Sequence, residues 1–490
     1  MKLLKRIASL VILTLLFVSI LEFNIQLVEA SGTIYIRPDG SIDPQSAPIQ
    51  RNGNIYTLTD NFTSGGDGIV IQRDNMTLDG AGHTLRSQYV HGKGLDLSLR
   101  TNVTVERFNI LNYIVGLELS NSTNNAAIGN NITNVQSGIY IGDSSNWNNI
   151  TGNTISQALM EGLSFFSSSN NIVRNNTMIN NTKNFYVYGR SIAEFTNDVD
   201  TSNTVEGKPI YYWISHSNAT VPPNAGYVAL INCTNISIQN LTIAKNGHGI
   251  LLAFTRKSSI SKNMLMDNIH AIDIRYSPNN TILGNNITAN KDTGIFLEYS
   301  SNNTIAENSI TSQYFSGIDF YTTSSHNLVT ENMIADNKYG ITLTDGSSNN
   351  TIFHNNFINN TVQVCSILSA NEWNNGYPSG GNYWSDYNGT DYYSGPNQNI
   401  VGSDDIGDKP YVIDENNTDH YPLMNPIGPQ GDVNHDWVVN ILDIVAISSI
   451  YHCQEGEPNW NPEADLAPPY GIINMLDLVT CVYHYGEKYP

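Results

Sequence analysis

One phrase recurs along this chain and limits what it can fold into. The stretch 279–300, NNTILGNNITANKDTGIFLEYS, sets the pattern. Its anchor Ile282 returns as Ile305, Val329 and Ile352, at spacings of 23, 24 and 23. Toward the N-terminus the anchor returns at Ile260 and Ile236, then after one longer interval at Val173, Ile150, Ala127 and Val103. A fixed period of this length marks a solenoid, in which a repeat buries its apolar face only by stacking on its neighbours.

Each repeat holds two further apolar words. Five residues past the anchors stand Phe108, Ile132, Ile155, Met178, Leu241, Leu265, Ile287, Ile310, Ile334 and Phe357. A Gly-Ile-x-Leu word follows, as in Gly294-Ile295-Phe296-Leu297 and Gly340-Ile341-Thr342-Leu343. Its alternation is the period of a strand with one buried face. Between the words Asn, Ser, Gly and Thr favour turns over helix. Three short strands per repeat predict an all-β, right-handed parallel β-helix with rungs about 4.8 Å apart. A column of Asn three residues past the anchors (Asn130, Asn153, Asn176, Asn263, Asn285, Asn308, Asn332 and Asn355) suits left-handed corners and an amide ladder, an architectural role.

Residues 1–30 read as an export signal: Lys2, Lys5 and Arg6 precede an uncharged run, and Val28-Glu29-Ala30 fits a cleavage site. The apolar run is short for a span, so no stable membrane span is expected after cleavage. The β-helix is expected over 31–370, with an N-terminal cap to cover its open edge. The long interval between Val173 and Ile236 predicts a lateral insertion at about 190–224, carrying Tyr211-Tyr212-Trp213. An aromatic, loop-rich cap at 371–427 and a linker at 428–430 lead to a module over 431–490. The net charge of -21 argues against a nucleic-acid partner and for a secreted or cell-surface protein. Cys453 and Cys481 share the last module and are candidates for a disulfide, whereas Cys233 and Cys365 read as buried rung residues.

The module begins with Asp432, Asn434, Asp436, Asn440 and Asp443, oxygen donors at positions 1, 3, 5, 9 and 12 of a 12-residue loop that precedes an apolar helix. Calcium takes such a donor set; Trp437 stands where a glycine usually eases the turn. A weaker second copy runs from Asp465 to Asn474 and Asp477, with Ala467 and Pro469 in place of middle donors.

On the β-helix the x residue of Gly-Ile-x-Leu is expected to face outward. Stacked rungs then bring together Asp273, Arg275, Phe296, Glu298, Asp319 and Tyr321. Asp273 and Asp319, two rungs apart at about 9–10 Å, approach the carboxylate separation of inverting glycosidases. Asp273, Asp319 and Glu298 are therefore the catalytic candidates, with Arg275, Phe296 and Tyr321 as substrate-binding candidates. The same residues on a wall suit plain sugar binding or a merely solvated strand face.

The Gly-Ile-x-Leu and Asn-Asn-Thr-Ile words over about 68–367, with the tail Gly381-Asn382-Tyr383-Trp384-Ser385-Asp386-Tyr387 through Asp419-His420-Tyr421-Pro422-Leu423, resemble the NosD-like (periplasmic copper-binding, carbohydrate-binding and sugar hydrolase) β-helix family, in particular archaeal-type surface members. Residues 431–487 resemble a dockerin, a calcium-dependent module that docks onto cohesins. The recognition pair at positions 10 and 11 is here apolar, Ile441-Leu442 and Met475-Leu476, which also allows docking within the chain. The first resemblance makes His248 and His270, 22 residues apart and near Met264 and Met266, copper candidates. The leading expectation is a secreted or cell-surface protein that binds polysaccharide or glycan on its wall, its dockerin-like module holding calcium and serving either attachment, with a cohesin-like partner, or docking within the chain. The alternatives are a polysaccharide hydrolase or lyase, and a copper-handling accessory protein.

Overall fold

The computed structural model describes residues 32–429, 431–434 and 438–486. The expected export signal and Asp436 lie outside the described residues. The rung at 126–142 shows how the repeat builds the fold. Its strands Ala126–Ile128, Asn131–Thr133 and Ser137–Gly142 each alternate, so Ala127, Ile132, Ile139 and Ile141 point inward and are fully buried. Each strand pairs in parallel with its successor: Ala127 lies level with Ile150, Ile132 with Ile155, Ile139 with Leu163. The chain is a parallel β-helix, closed at its far end by a cap and followed by a small two-helix module.

Two anchors sit differently from expectation. Val105, not Val103, lies level with Ala127, and Ile238, not Ile236, lies level with Ile260. The second words slip with them, so Ile110 and Ile243 take the places expected for Phe108 and Leu241. A two-residue slip keeps the same face inward, so the hydrophobic pattern cannot distinguish the registers.

The Asn columns are ladders. Asn130 Oδ1 accepts the backbone N–H of Phe108 at 3.1 Å, and Asn130 Nδ2 donates to Asn153 Oδ1 at 3.0 Å. In the second half the same bonds link Asn285, Asn308, Asn332 and Asn355. The left-handed backbone belongs to the preceding residue, as at Gly129, Gly152, Glu307 and Glu331, and not to the ladder Asn. The amides turn inward, where burial strengthens each bond and makes its loss costly.

The interval at 190–224 is no lateral flap. It joins two coils. In the first coil, strands ending with Thr177–Ile179 and Thr204–Val205 form one sheet. A hairpin at Glu206-Gly207, both with positive φ, reverses the chain, and Lys208–Ile214 continues that sheet antiparallel to Thr204–Val205. The sheet then runs on through Tyr227–Ile231, His248–Ala253, His270–Arg275, Thr293–Glu298, Ser316–Tyr321, Tyr339–Leu343 and Val362–Ser366, the Gly-Ile-x-Leu strands of the second coil. One 15-stranded sheet thus serves both coils. Its opposite faces bear two cores: Ala229, Ile231, Leu251 and Ala253 pack with the first coil, while Val228, Leu230, Ile250 and Leu252 pack with the second. Leu251 is therefore buried against the neighbouring coil rather than outward in solvent. Tyr212 is buried with the first core, so the aromatics of this segment seal the seam.

The far end of the second core is closed by Trp373 and Trp384, both buried, with Phe357 and Tyr411 stacked on Trp384 at 4.3 Å each. Beyond the cap, helices Ile441–Ser449 and Met475–Tyr483 pack around Val439, Ile447, Ile473 and Cys481. Cys453 and Cys481 are buried and free, so the expected disulfide is not formed; Cys233 is buried as expected and Cys365 half-buried. Among the described residues no helix is long and apolar enough to cross a membrane.

Candidate functional site: the outer wall at the seam

Where the first coil ends, its last wall strand Lys183–Tyr188 meets the wall of the second. Asn184 N–H donates to Lys245 O at 2.7 Å and Gly247 N–H to Phe185 O at 3.0 Å. The side chains of Tyr186 and Tyr188 therefore reach over strands His248–Ala253 and His270–Arg275. They cover what the sequence pattern left exposed. Asp273 is fully buried. Arg275 grips it with two hydrogen bonds, Nε to Oδ1 at 2.7 Å and Nη2 to Oδ2 at 3.0 Å, and pairs also with Glu298. Its guanidinium lies 5.0 Å from the ring centres of both Tyr188 and Phe296.

Two histidines complete the cluster. His270 Nδ1 lies 2.8 Å from Asp273 Oδ2, and its Nε2 lies 3.3 Å from Asp292 Oδ2. His248, fully buried, brings Nε2 within 3.2 Å of Asp273 Oδ2 without the alignment of a hydrogen bond, and its Nδ1 has no partner. Burial would raise the Asp273 carboxyl, but Arg275 and the histidines hold it well below the usual carboxylate range. Burial would lower His270, yet its bonds to Asp273 and Asp292 outweigh that and place it at about 9, a standing imidazolium. Burial lowers His248, which stays neutral. Asp319, half-buried two rungs from Asp273, is pushed up to about 6 by burial, against a 2.6 Å bond from the Thr342 hydroxyl.

This geometry corrects part of the sequence-based site. Asp273 has both oxygens engaged inside the protein and cannot meet a substrate, so Asp273 and Asp319 do not form a glycosidase pair. Arg275, also buried, holds Asp273 and Glu298 rather than a ligand. Phe296, Glu298, Asp319 and Tyr321 do share the accessible wall, with Asp292 as a neighbour that sequence reasoning missed. Asp292 stands directly before its strand, one rung from His270 in the register that pairs His270 with Thr293.

An unexpected ladder of rings runs along this wall and across the seam. Tyr140 stacks on Phe166 at 5.3 Å, Phe166 meets Tyr186 at 5.2 Å, and Tyr186 stacks on His248 at 4.7 Å. His248 lies 6.1 Å from His270, His270 stacks on Phe296 at 4.8 Å, and Phe296 lies 6.0 Å from Tyr321. In the first coil the charges beside this track are spent on each other, Lys93 with Asp96 and Glu118, Lys183 with Glu161.

Comparison with known sequences now adds the family. The chain matches the family described as Periplasmic copper-binding protein (NosD) over residues 25–213 and again over 201–389. It belongs to the NosD family. The two matches meet at 201–213, the segment that carries the hairpin between the coils. No curated protein matches the sequence. Among solved structures, a variant of the periplasmic alginate epimerase AlgG is similar at 12% identity, over 70% of this chain and 84% of that one, with a TM-score of 0.25. The A-module of the mannuronan C-5 epimerase AlgE6 of Azotobacter vinelandii is similar at 12% identity, over 70% and 90%, with a TM-score of 0.23. The tailspike of E. coli bacteriophage HK620, in complex with a pentasaccharide, is similar at 9% identity, over 64% and 65%, with a TM-score of 0.28.

The family description raises copper, and His248, His270 and Asp273 are the residues to test. Their candidate ligand atoms lie within 4.8 Å of one another. They nevertheless fit a metal poorly. Arg275 already occupies both Asp273 oxygens, and a second cation there would meet its charge unscreened. His270 carries a proton between two carboxylates instead of a free lone pair. Met264 and Met266 belong to a strand of a different sheet, Met264–Met266, and add no thioether. The cluster of this NosD-family chain is a buried ion network.

In the C-terminal module, Asp443 is buried and accepts the N–H groups of Val433, Asn434 and Asn440 at 3.0, 3.1 and 2.7 Å. Asp477 accepts Ala467 and Asn474 N–H in the same way, and Asp465 Oδ2 accepts Gly471 N–H at 2.5 Å. Asn440 and Asn474 cap the two helices, each in a capping box with the Asp three residues on. Asp432 is buried beside the loop's start.

Proposed function

We propose that this protein binds a polysaccharide chain laid along its outer wall, with Phe296 and Tyr321 as ring platforms and Glu298, Asp319 and Asp292 as hydroxyl partners. The observation that carries the reading is the run of rings on the accessible wall of the second coil, where His270 stacks on Phe296 and Phe296 lies beside Tyr321. Half-buried rings present apolar faces on the wall, and the carboxylates beside them, each tied through one oxygen to Arg275, His270 or Thr342, keep a second oxygen for sugar hydroxyls. The ion network under the wall fixes Phe296 from below, through His270 and Arg275. Affinity electrophoresis of the full chain against a panel of neutral and acidic polysaccharides tests this, with the Phe296→Ala/Tyr321→Ala double variant beside it. Retarded migration that the variant loses supports the reading; no retardation by any polysaccharide defeats it.

Hydrolysis or lysis has one observation in favour, the Asp319 carboxyl near pH 6 on an accessible wall. Release of reducing or unsaturated ends in the same screen, lost in Asp319→Asn, would move the protein into that class. For the module we infer calcium held by Asp432, Asn434, Asp436, Asn440 and Asp443, with Asp465, Asn474 and Asp477 as a weaker second site. A dockerin-like role toward a cohesin-like partner, at a cell surface or outside the cell, follows from that inference. Asp443 supports it: a buried carboxylate orders the loop's backbone on one side. Calorimetric titration with calcium, compared in Asp443→Ala, is the check.

A further inference from the structure

The seam has a second side. Around the coil from the wall, where strands Ile172–Arg174 and Asp198–Val199 end the first coil and Lys208–Ile214 begins the second, a pocket of about 500 Å³ opens. Trp147, Ile172, Tyr212 and Ile214 supply its apolar lining, and Asp198 and His216 its polar edge. The volume suits one small molecule, and the pairing of apolar walls with few polar groups is that of a binding pocket.

Trp147 does not belong where it stands on structural grounds. It occupies a left-handed corner whose neighbours in the stack are Asn75, Asn102, Asn124 and Asn170, all with positive φ. Asn tolerates that backbone, and Asn102 Nδ2 bonds Asn75 Oδ1 at 2.9 Å along the column. A tryptophan there replaces the asparagine of the other corners, takes a backbone that bulky residues disfavour, and leaves its indole 61% exposed. Ile172 repeats the anomaly: its column reads Thr104, Ala126, Asn149, and then an isoleucine left 45% exposed. Both departures point at one cavity.

We propose that this pocket binds a neutral saccharide unit, one ring face stacked on the Trp147 indole and its hydroxyls turned to Asp198 and His216. Sugar rings carry an apolar C–H face and a polar rim, the two chemistries that the pocket separates. Anionic sugars are disfavoured, because Asp198 and Asp200 share one cation, Arg174, at the rim. The site is independent of the wall and stands whether or not the wall binds a chain.

Saturation-transfer NMR and tryptophan fluorescence on the full chain, with methyl glycosides of glucose, galactose, mannose and N-acetylglucosamine and their disaccharides, test it. At least one is expected to bind in the millimolar range or tighter, and Trp147→Asn is expected to weaken it tenfold or more. Because Asn tolerates the left-handed backbone at this corner, the melting temperature of Trp147→Asn should equal or exceed that of the parent. Ile172→Asn, on the neighbouring rung, should weaken binding as well. Binding that survives both Trp147→Asn and Ile172→Asn, or no saturation transfer from any panel member, overturns the proposal.

Discussion

The inner corners and the outer wall obey different rules, though the same strands build both. At the corners, Asn130, Asn153 and Asn176 make the same bonds rung after rung, each amide donating to the next. On the wall, Asp273, Phe296, Asp319 and Thr342 succeed one another, and no single residue type runs from rung to rung. Repetition at the corner fixes the coil, and irregularity on the wall is free to answer to something outside it. The seam sharpens the contrast, because there the wall carries a fully buried carboxylate, Asp273, held in an ion network.

The harshest way to break the wall is to unbalance that network. Arg275→Met leaves the Asp273 charge buried without its main partner and should cost about 3–5 kcal/mol in chemical denaturation. The Asp273→Asn/Arg275→Met double variant should recover much of the loss, and failure to do so would show that the pair acts independently. Breaking the corner costs less: Asn308→Ala removes bonds to Asn332 and Ile282 and strands buried N–H groups, worth about 1–3 kcal/mol. The same change at Asn332 should match it closely, since the column is uniform.

A change of pH probes the wall and, through Asp419 of the cap, which burial also pushes up to about 6, the closed end of the second core. The folded state raises Asp319 from 3.8 to about 6, so its contribution is complete below 3.8 and is lost as pH rises through 6. His270, raised from 6.5 to about 9, contributes fully below 6.5 and loses that contribution as pH rises through 9. Asp273, depressed, contributes above 3.8 and loses it as acid protonates the carboxylate. Melting temperature should therefore peak near pH 4 and fall toward 9, and Asp319→Asn should flatten the part of that fall between about pH 4 and 6. The smallest effect on stability belongs to Phe296→Ala/Tyr321→Ala, made at the partly exposed surface, although it should weaken polysaccharide binding about tenfold.

Much of this was legible in the sequence. Period, strand faces and Asn ladders follow from residues that repeat, and the Gly-Ile-x-Leu words locate the wall. The two-residue slips at Val105 and Ile238 escaped because alternation is blind to them. The burial of Asp273 escaped for another reason: its cover, Tyr186 and Tyr188, comes from the previous coil, and no local pattern records that approach. The long interval before Ile236 signalled a break in rhythm but not its form. Trp147 was readable in principle, as a tryptophan in a column of asparagines, once rungs were aligned from the positions ahead of each ladder Asn.

The shared sheet also changes how this molecule should come apart. In an ordinary linear array, fraying can start at any free end and travel through successive nearest neighbours. Here strand His248–Ala253 is at once an early rung of the second coil and part of the lid on the first core. Peeling the second coil past that strand uncovers Phe185, Val187 and Phe195 together, so the unzipping must stall and then release a block. Pulled from its ends, the chain should yield in two large steps, with the break displaced from the hairpin into the body of the second coil.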